Sequence, residues 1–347
     1  MSTGPSTSRS SSNTPAPASL HEITTVDRPV PKPAPRDLPP PDLARAVLAL
    51  GAGFQGEVGI AIRDVAKGWT VGYKADEPYP QQSVSKLWVA IALMDAVDRG
   101  RMSLSDPVIV RRSDLTLFHQ PIRALVGKDG YHTTIGALLR DALTRSDNTC
   151  NDILLWKIGG PSAVRSVLAQ RGIFGVGFGP GERILQATTA GLSWQPQWAG
   201  GWGFLQARAK MSFAARNRAL RQYLAAPPDG ASPAGITSGL ALLQSGSLLS
   251  NNSTVHLLTL MRASKTGPLR LKSGLQPGWT FAHKTGTGQD LGTLSTGYND
   301  VGLLRSPEGR SYAIAVMIRS TQVPIPTRMR LMGDVTRAVI RASQQSG

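Results

Sequence analysis

The sequence predicts an α/β protein of the α+β type: one antiparallel sheet flanked by helices, with a mostly helical second lobe. Two observations predict it. Strand-like text stands near both ends of the chain, "EVGIAIRDV" and "WTVGYKAD" early, "GWTFAHKTGTG", "STGYNDVGLL" and "YAIAVMI" late. Between them the text is mostly helical, from Ser83 to about Gly172. A sheet assembled from both termini, with helices beside it, satisfies that order.

The elements follow in chain order. Residues 1 to about 42 read as a disordered tail: "MSTGPSTSRSSSNTPAPAS" is rich in Ser, Thr and Pro, and "RPVPKPAPRDLPPPD" is close to a polyproline spacer. No apolar signal-peptide core is visible there. Residues 43–347 are expected to form one domain, with an insertion near 190–232. "PDLARAVLALGAGF" reads as a short amphipathic helix started by proline. The two early strands are joined through Ala66-Lys67-Gly68. After Ser83, the apolar residues Leu87, Trp88, Val89, Ile91, Leu93, Met94 and Val97 cover every face of a helix, which requires burial all round. The closing helix carries Leu331, Val335, Ala338 and Val339 on one stripe.

Composition bounds the function. With 41% hydrophobic and 17% charged residues, the chain has a globular composition. No apolar run reaches the ~18 residues of a membrane span. The single cysteine, Cys150, excludes an intrachain disulfide and reads as a small core residue. The net charge of +16 favours anionic surfaces without naming one. No zinc-finger spacing, RNP-like aromatic motif or basic-region heptad is present, so nucleic acid is not the expected partner. No His/Cys/acid cluster implies a metal, and no cofactor is expected.

Lys86 opens the all-apolar helix, and a buried ammonium is costly unless it is paired or has a chemical task. It stands three residues after Ser83, so the two share a helix face. A serine hydroxyl is a poor nucleophile until a base takes its proton, and burial favours the neutral amine that can do so. Free N–H groups at the start of a helix also suit a developing oxyanion. Two further short motifs follow: Ser146-Asp147-Asn148 and Lys284-Thr285-Gly286. A second Lys-Thr-Gly at Lys265-Thr266-Gly267 lies between a helical segment and "PLRLKSG" and is set aside; the later copy sits on an apolar strand and continues as Thr287-Gly288.

Each motif alone is common. In this order and context, the chain resembles the class A serine β-lactamases, within the superfamily that includes penicillin-binding proteins. The resemblance runs from about residue 45 to 345, and "SDNTCNDILLWKIGGPSAVRSVLAQRG" follows the family's helix-and-turn segment. It implies a serine β-lactamase-like fold and hydrolysis of a β-lactam through a Ser83 acyl-enzyme. Either Lys86 or Glu182 would be the base that activates Ser83, and Ser146 would relay a proton to the leaving nitrogen. Asn148 would hold a substrate amide. Lys284, Thr285 and Thr287 would face the substrate carboxylate, the Thr287 N–H completing the oxyanion hole. Glu182, in "GPGERILQ" and 36 residues after Ser146, would activate the deacylating water. Phe118 falls where the family has an aromatic pocket wall. The resemblance also implies a monomer working in the periplasm or secreted.

There are departures. Gln186 replaces an asparagine that helps hold the water, and a longer amide could bind or displace it. Pro180 stands where a loop-anchoring arginine is usual. The insertion carries Trp194, Trp198 and Trp202, then "LQARAKMSFAARNRALRQYLAA", read as one helix bearing Arg208, Lys210, Arg216, Arg218 and Arg221 and no acid. It reads either as a lid whose aromatics pack on the domain, which could narrow the active site, or as a basic surface for a membrane or partner. His283, next to the third motif, points to the opposite face of its strand. Two rivals stay open: a penicillin-binding or D-Ala-D-Ala peptidase-like protein that deacylates slowly, and a non-catalytic envelope-binding module.

Overall fold

A computed structural model describes Met1, Ser2, Gly4 and residues 38–345; the expected tail lies almost entirely outside the described residues. From residue 38 onward the elements run α1 (Pro41–Ala52), β1 (Gly56–Asp64), β2 (Thr70–Tyr73), β3 (Tyr79–Pro80), α2 (Lys86–Asp98), β4 (Pro107–Val110), β5 (Tyr131–Thr134), α3 (Ile135–Thr144), α4 (Asn148–Lys157) and α5 (Gly160–Gln170). They continue with α6 (Glu182–Thr189), α7 (Trp202–Ala209), α8 (Phe213–Ala225), β6 (Gly230–Ala231), α9 (Pro233–Gln244), α10 (Asn251–Arg262), β7 (Thr280–Gly286), β8 (Ser295–Arg305), β9 (Ser311–Thr321) and α11 (Ile325–Gln345).

The main sheet has the order β2-β1-β9-β8-β7, antiparallel throughout. The first long strand therefore pairs with the last, and the sheet is assembled from both termini. The β1–β2 turn is set by Asp64, whose carboxylate accepts the backbone N–H groups of Ala66 and Lys67. Gly68 then takes φ 74°, a left-handed conformation that suits glycine.

β9 shows why its text is continuously apolar. Ala313, Ala315 and Met317 enter the core shared with α2, α4 and α9, while Ile314, Val316 and Ile318 enter the core under α1 and α11. A strand covered on both faces alternates between two cores rather than between core and water. α2 is buried from Lys86 through Ala96, as its all-round apolarity demands. Leu331, Val335, Ala338 and Val339 are buried along α11. Among the described residues no helix is long and apolar enough to cross a membrane.

One expectation is refined and one corrected. The text between Ser83 and Gly172 is mostly helical, as expected, but β4 and β5 pair antiparallel within it. Each strand has only four residues, too few to show a period. The stretch read as one basic helix is two. α7 ends at Ala209, and Ser212 starts α8 by accepting the N–H of Ala215 in its side chain. A serine in that position competes for the backbone and restarts the helix.

Candidate active site

Ser83 lies on a short 3-10 turn, Gln82–Ser85, that leads into α2. In a 3-10 turn residues i and i+3 eclipse one another, which aligns Ser83 with Lys86 more directly than an α-helix would. Lys86 Nζ donates to Ser83 Oγ at 2.7 Å and to Asn148 Oδ1 at 2.8 Å, and it pairs with the Glu182 carboxylate. An ammonium has three N–H bonds, and this one meets three acceptors. The burial cost that made Lys86 conspicuous is met by these partners.

The turn is held from several sides. Asn299 on β8 donates to the carbonyls of Pro80 and Gln81, at 2.7 and 3.1 Å. Gln82 has φ 53°, unusual for a residue with a side chain, and its N–H is held by Asp229 Oδ2 at 2.7 Å. Tyr223 of α8 donates to the other Asp229 oxygen at 2.9 Å and accepts from the Gln82 side chain. Burial pushes the Asp229 pKa up to about 6, and the charge of Glu182 adds to the rise. Gly286 closes the approach from β7: a Cβ there would sit 2.3 Å from the Gln81 carbonyl oxygen, so only glycine lets the strand pass this close.

Ser146-Asp147-Asn148 divides its labour. Ser146 takes φ 60° and accepts from Lys284 Nζ at 2.8 Å. Asp147 is the helix cap, accepting from Cys150 N at 2.9 Å and from Ile122 N at 2.7 Å. Asn148, first in α4, faces Lys86 with its oxygen and donates from Nδ2 to the Leu117 carbonyl at 2.9 Å, keeping one amide hydrogen for another acceptor. Burial, and then the nearby charge of Lys86, hold the Lys284 ammonium well below the usual lysine range. Cys150 is buried in α4, and burial pushes its thiol well up.

Glu182 is 3% exposed, not a solvated loop carboxylate. Asp152 of α4 sets it in place, accepting from Glu182 N at 2.8 Å and Arg183 N at 3.1 Å. No arginine at position 180 is needed for this, because an acid from α4 caps the start of α6. Burial and the charge of Glu182 raise the Asp152 pKa. Gln186, one turn along α6, points its Nε2 at Glu182 Oε2 (3.3 Å) and Gln82 Oε1 (3.1 Å).

Thr285 and Thr287 follow Lys284. Thr285 exchanges a hydrogen bond of 2.7 Å with Thr266, so the Lys-Thr-Gly copy that was set aside buttresses the strand that carries the other. Arg270, which the sequence did not single out, is buried against Tyr298 and donates to Thr287 Oγ1 at 2.6 Å, to Gly286 O at 2.9 Å and to Asn299 O at 2.6 Å. It places a guanidinium behind the third motif. His283 points away, paired with Asp300 at 2.7 Å in the core.

Ser83, Asn148, Gln186 and Thr287 line a cleft of about 370 Å³ together with Phe118, His119, Arg208 and residues 288–290, whereas Lys86, Ser146, Glu182, Lys284 and Thr285 are not part of its lining. Phe118 is partly exposed on its wall, with φ 59°. The insertion packs beside it: Phe204 of α7 is buried and meets the Phe118 ring edge-on at 5.4 Å. Trp194 and Trp198 pack onto the same small cluster, while Trp202 is exposed. Among the described residues no cluster of acids, histidines and cysteine could hold a metal ion.

Known proteins share this arrangement of chain. The extended-spectrum beta-lactamase PER-1 of Pseudomonas aeruginosa is 27% identical over 75% of this chain and 74% of its own. Beta-lactamase CTX-M-8 of Citrobacter amalonaticus is 27% identical over 79% of this chain and 80% of its own. Among solved structures, a beta-lactamase from Chitinophaga pinensis superposes with a TM-score of 0.71 at 26% identity, covering 87% of this chain and 99% of that one. An ancestral class A beta-lactamase superposes at 0.67 with 27% identity, covering 86% and 99%. A family model described as the beta-lactamase enzyme family matches residues 42–343. The chain belongs to the beta-lactamase enzyme family.

Proposed function

We propose that the protein hydrolyses β-lactams through a Ser83 acyl-enzyme that water, activated by Glu182, then releases. The observation that supports this most is the placement of Lys86 Nζ between Ser83 Oγ and the Glu182 carboxylate. A proton passed from Lys86 to Glu182 leaves an amine able to take the Ser83 proton. Ser83 Oγ then attacks the lactam carbonyl, and the oxyanion lies against the N–H groups of Ser83 and Thr287. The ring C–N bond breaks as its nitrogen receives, through Ser146, the proton that Lys86 took from Ser83; Lys284 holds Ser146 at 2.8 Å, and Glu182 then returns its proton to Lys86 and is a carboxylate again. In the second half, water gives a proton to Glu182 and its oxygen to the acyl carbon, and Ser83 leaves with a proton returned from Lys86.

Binding follows from the same placement. Lys284, Thr285, Thr287 and Arg270 gather donors for the substrate carboxylate. Asn148 offers its remaining amide hydrogen to the acyl-amide carbonyl, and Phe118 walls that side. Gln186 keeps its donor on Glu182 Oε2, the oxygen that Lys86 does not use, which supports a place for it in orienting the base. The insertion serves as a lid rather than as a membrane surface; the packing of Phe204, Trp194 and Trp198 favours this. The proposal places the protein in the periplasm or outside the cell, as a monomer.

Turnover of a chromogenic cephalosporin, with intact mass read in parallel, tests the proposal. Wild type turns over and Ser83→Ala neither turns over nor gains the mass of a bound penicillin. Undiminished labelling of Ser83→Ala contradicts the nucleophile assignment; a wild type that stays acylated marks a penicillin-binding protein.

A further inference from the structure

The insertion brings one charged group to the cleft that the reaction above does not use. Arg208 is one turn after Phe204 on α7, so the buried phenylalanine that anchors the helix also aims the arginine. Its guanidinium stands 5.9 Å from the centre of the Phe118 ring and lines the same cleft as Ser83, Asn148 and Gln186. Its Nε is buried without a hydrogen-bond partner, and among the described residues no carboxylate lies within ion-pairing distance of it. Burial, and then the like charge of Arg216, lower its pKa. Asp290 lines the same cleft but is exposed, and no ion pair joins the two.

Most arginines this close to a hydrophobic wall simply lay their stems along it. Arg208 differs in facing a ligand cleft with donors unspent. The cleft is already polarised. The substrate carboxylate belongs at the Thr287 end, which the buried Arg270 backs by donating to Thr287 Oγ1. Asn148, Gln186, Phe118 and Arg208 lie at the end where the acyl-amide substituent projects. A second cation at that end matches a second anion on the substrate.

We propose that Arg208 is a specificity-determining residue that recognises a carboxylate on the acylamino side chain of the β-lactam, so that dianionic substrates are preferred over otherwise matched neutral-side-chain ones. This rests on the Ser83 acyl-enzyme reading. A guanidinium–carboxylate contact in a partly closed cleft is a charge-assisted hydrogen bond, and its loss weakens discrimination by about 10-fold to 100-fold.

The test is a matched pair, benzylpenicillin and its α-carboxy derivative carbenicillin, with wild type, Arg208→Gln and Arg208→Lys. Thermal unfolding of each protein shows that it is folded. The readout is the ratio of kcat/KM for carbenicillin over benzylpenicillin. It falls about 10-fold or more in Arg208→Gln, is partly kept in Arg208→Lys, and in wild type declines as salt rises. A purely structural role for Arg208 lowers both substrates together and leaves the ratio alone; that result, or no change at all, overturns the proposal. If acylation is fast and release slow, the ratio of acylation rates from intact mass replaces kcat/KM. Benzylpenicillin with wild type separates the two readings: if it neither turns over nor labels Ser83, the acyl-enzyme reading has failed, and Arg208 recognition fails with it. If it reacts but the ratio does not respond to Arg208→Gln, only the inference about Arg208 has failed.

Discussion

Asp229→Asn isolates an electrostatic cost that comes with holding the Gln82–Ser85 turn. The Asp229 carboxyl is fully buried and accepts the Gln82 N–H and the Tyr223 hydroxyl. Burial raises its pKa from 3.8 to about 6. Each pKa unit corresponds to 1.36 kcal/mol, so the ionised group costs the folded state about 3 kcal/mol. The sign follows from linkage: between pH 4 and 6 the native state holds a proton that the unfolded chain has lost, so the native state loses stability as pH rises. The Asparagine in the variant cannot ionise. Urea unfolding followed by tryptophan fluorescence, at steps from pH 4 to 7, gives the stability of both proteins. The variant is the less stable at pH 4, where a neutral carboxyl still serves both donors. Between pH 4 and 7 the difference moves in favour of the variant by about 2 kcal/mol, the rest of the shift lying below pH 4. A difference that does not depend on pH refutes the reasoning, whatever its size.

Other expectations follow from single contacts. Lys86→Ala slows acylation about 10²-fold to 10⁴-fold, the usual worth of a positioned base, in a time course of intact mass with penicillin. An unchanged rate removes Lys86 from the mechanism. Gly267→Ala places a Cβ 2.6 Å from Thr285 Cγ2 at a residue with φ 62°. It lowers stability by about 1–3 kcal/mol and raises KM by displacing Thr285; equal melting and equal KM contradict the buttress described for that segment.

The parts of this architecture that sequence made visible are those where one physical constraint acts locally. α2 declared itself because a helix apolar on every face must be buried, and Lys86 stood out against that background. Ser83 and Lys86 are three residues apart on one turn, so their contact is local. That one sheet draws on both ends of the chain followed from strand text there; which strand pairs with which did not. The division of Ser146-Asp147-Asn148 into a strained serine, a helix cap and a ligand for Lys86 was not visible, because a cap and a catalytic group use the same residue types. Arg270 was missed because nothing near it in sequence marks it; only the fold of the segment before β7 brings it behind Thr287. Arg208 was seen as one of several basic residues on a single long helix. The break at Ser212 and the anchoring of Phe204 are what separate it from the others. Glu182 was found through the family's spacing, and its burial depends on Asp152, a residue whose carboxylate reads in sequence as an ordinary helix acid.

In the proposed reaction one carboxylate, that of Glu182, separates hydrolysis from mere acylation. Glu182→Gln keeps an oxygen acceptor for Lys86 and the length of the side chain, while removing the base. The first measurement is a quenched reaction with a chromogenic cephalosporin, read by intact mass for wild type and Glu182→Gln. Wild type returns to its free mass after turnover; the variant acylates more slowly, because Lys86 can no longer pass its proton to residue 182, and then accumulates a covalent adduct on Ser83 that water does not release. If the variant turns over as wild type does and no adduct builds up, Glu182 is not the deacylation base and the account is wrong at its centre.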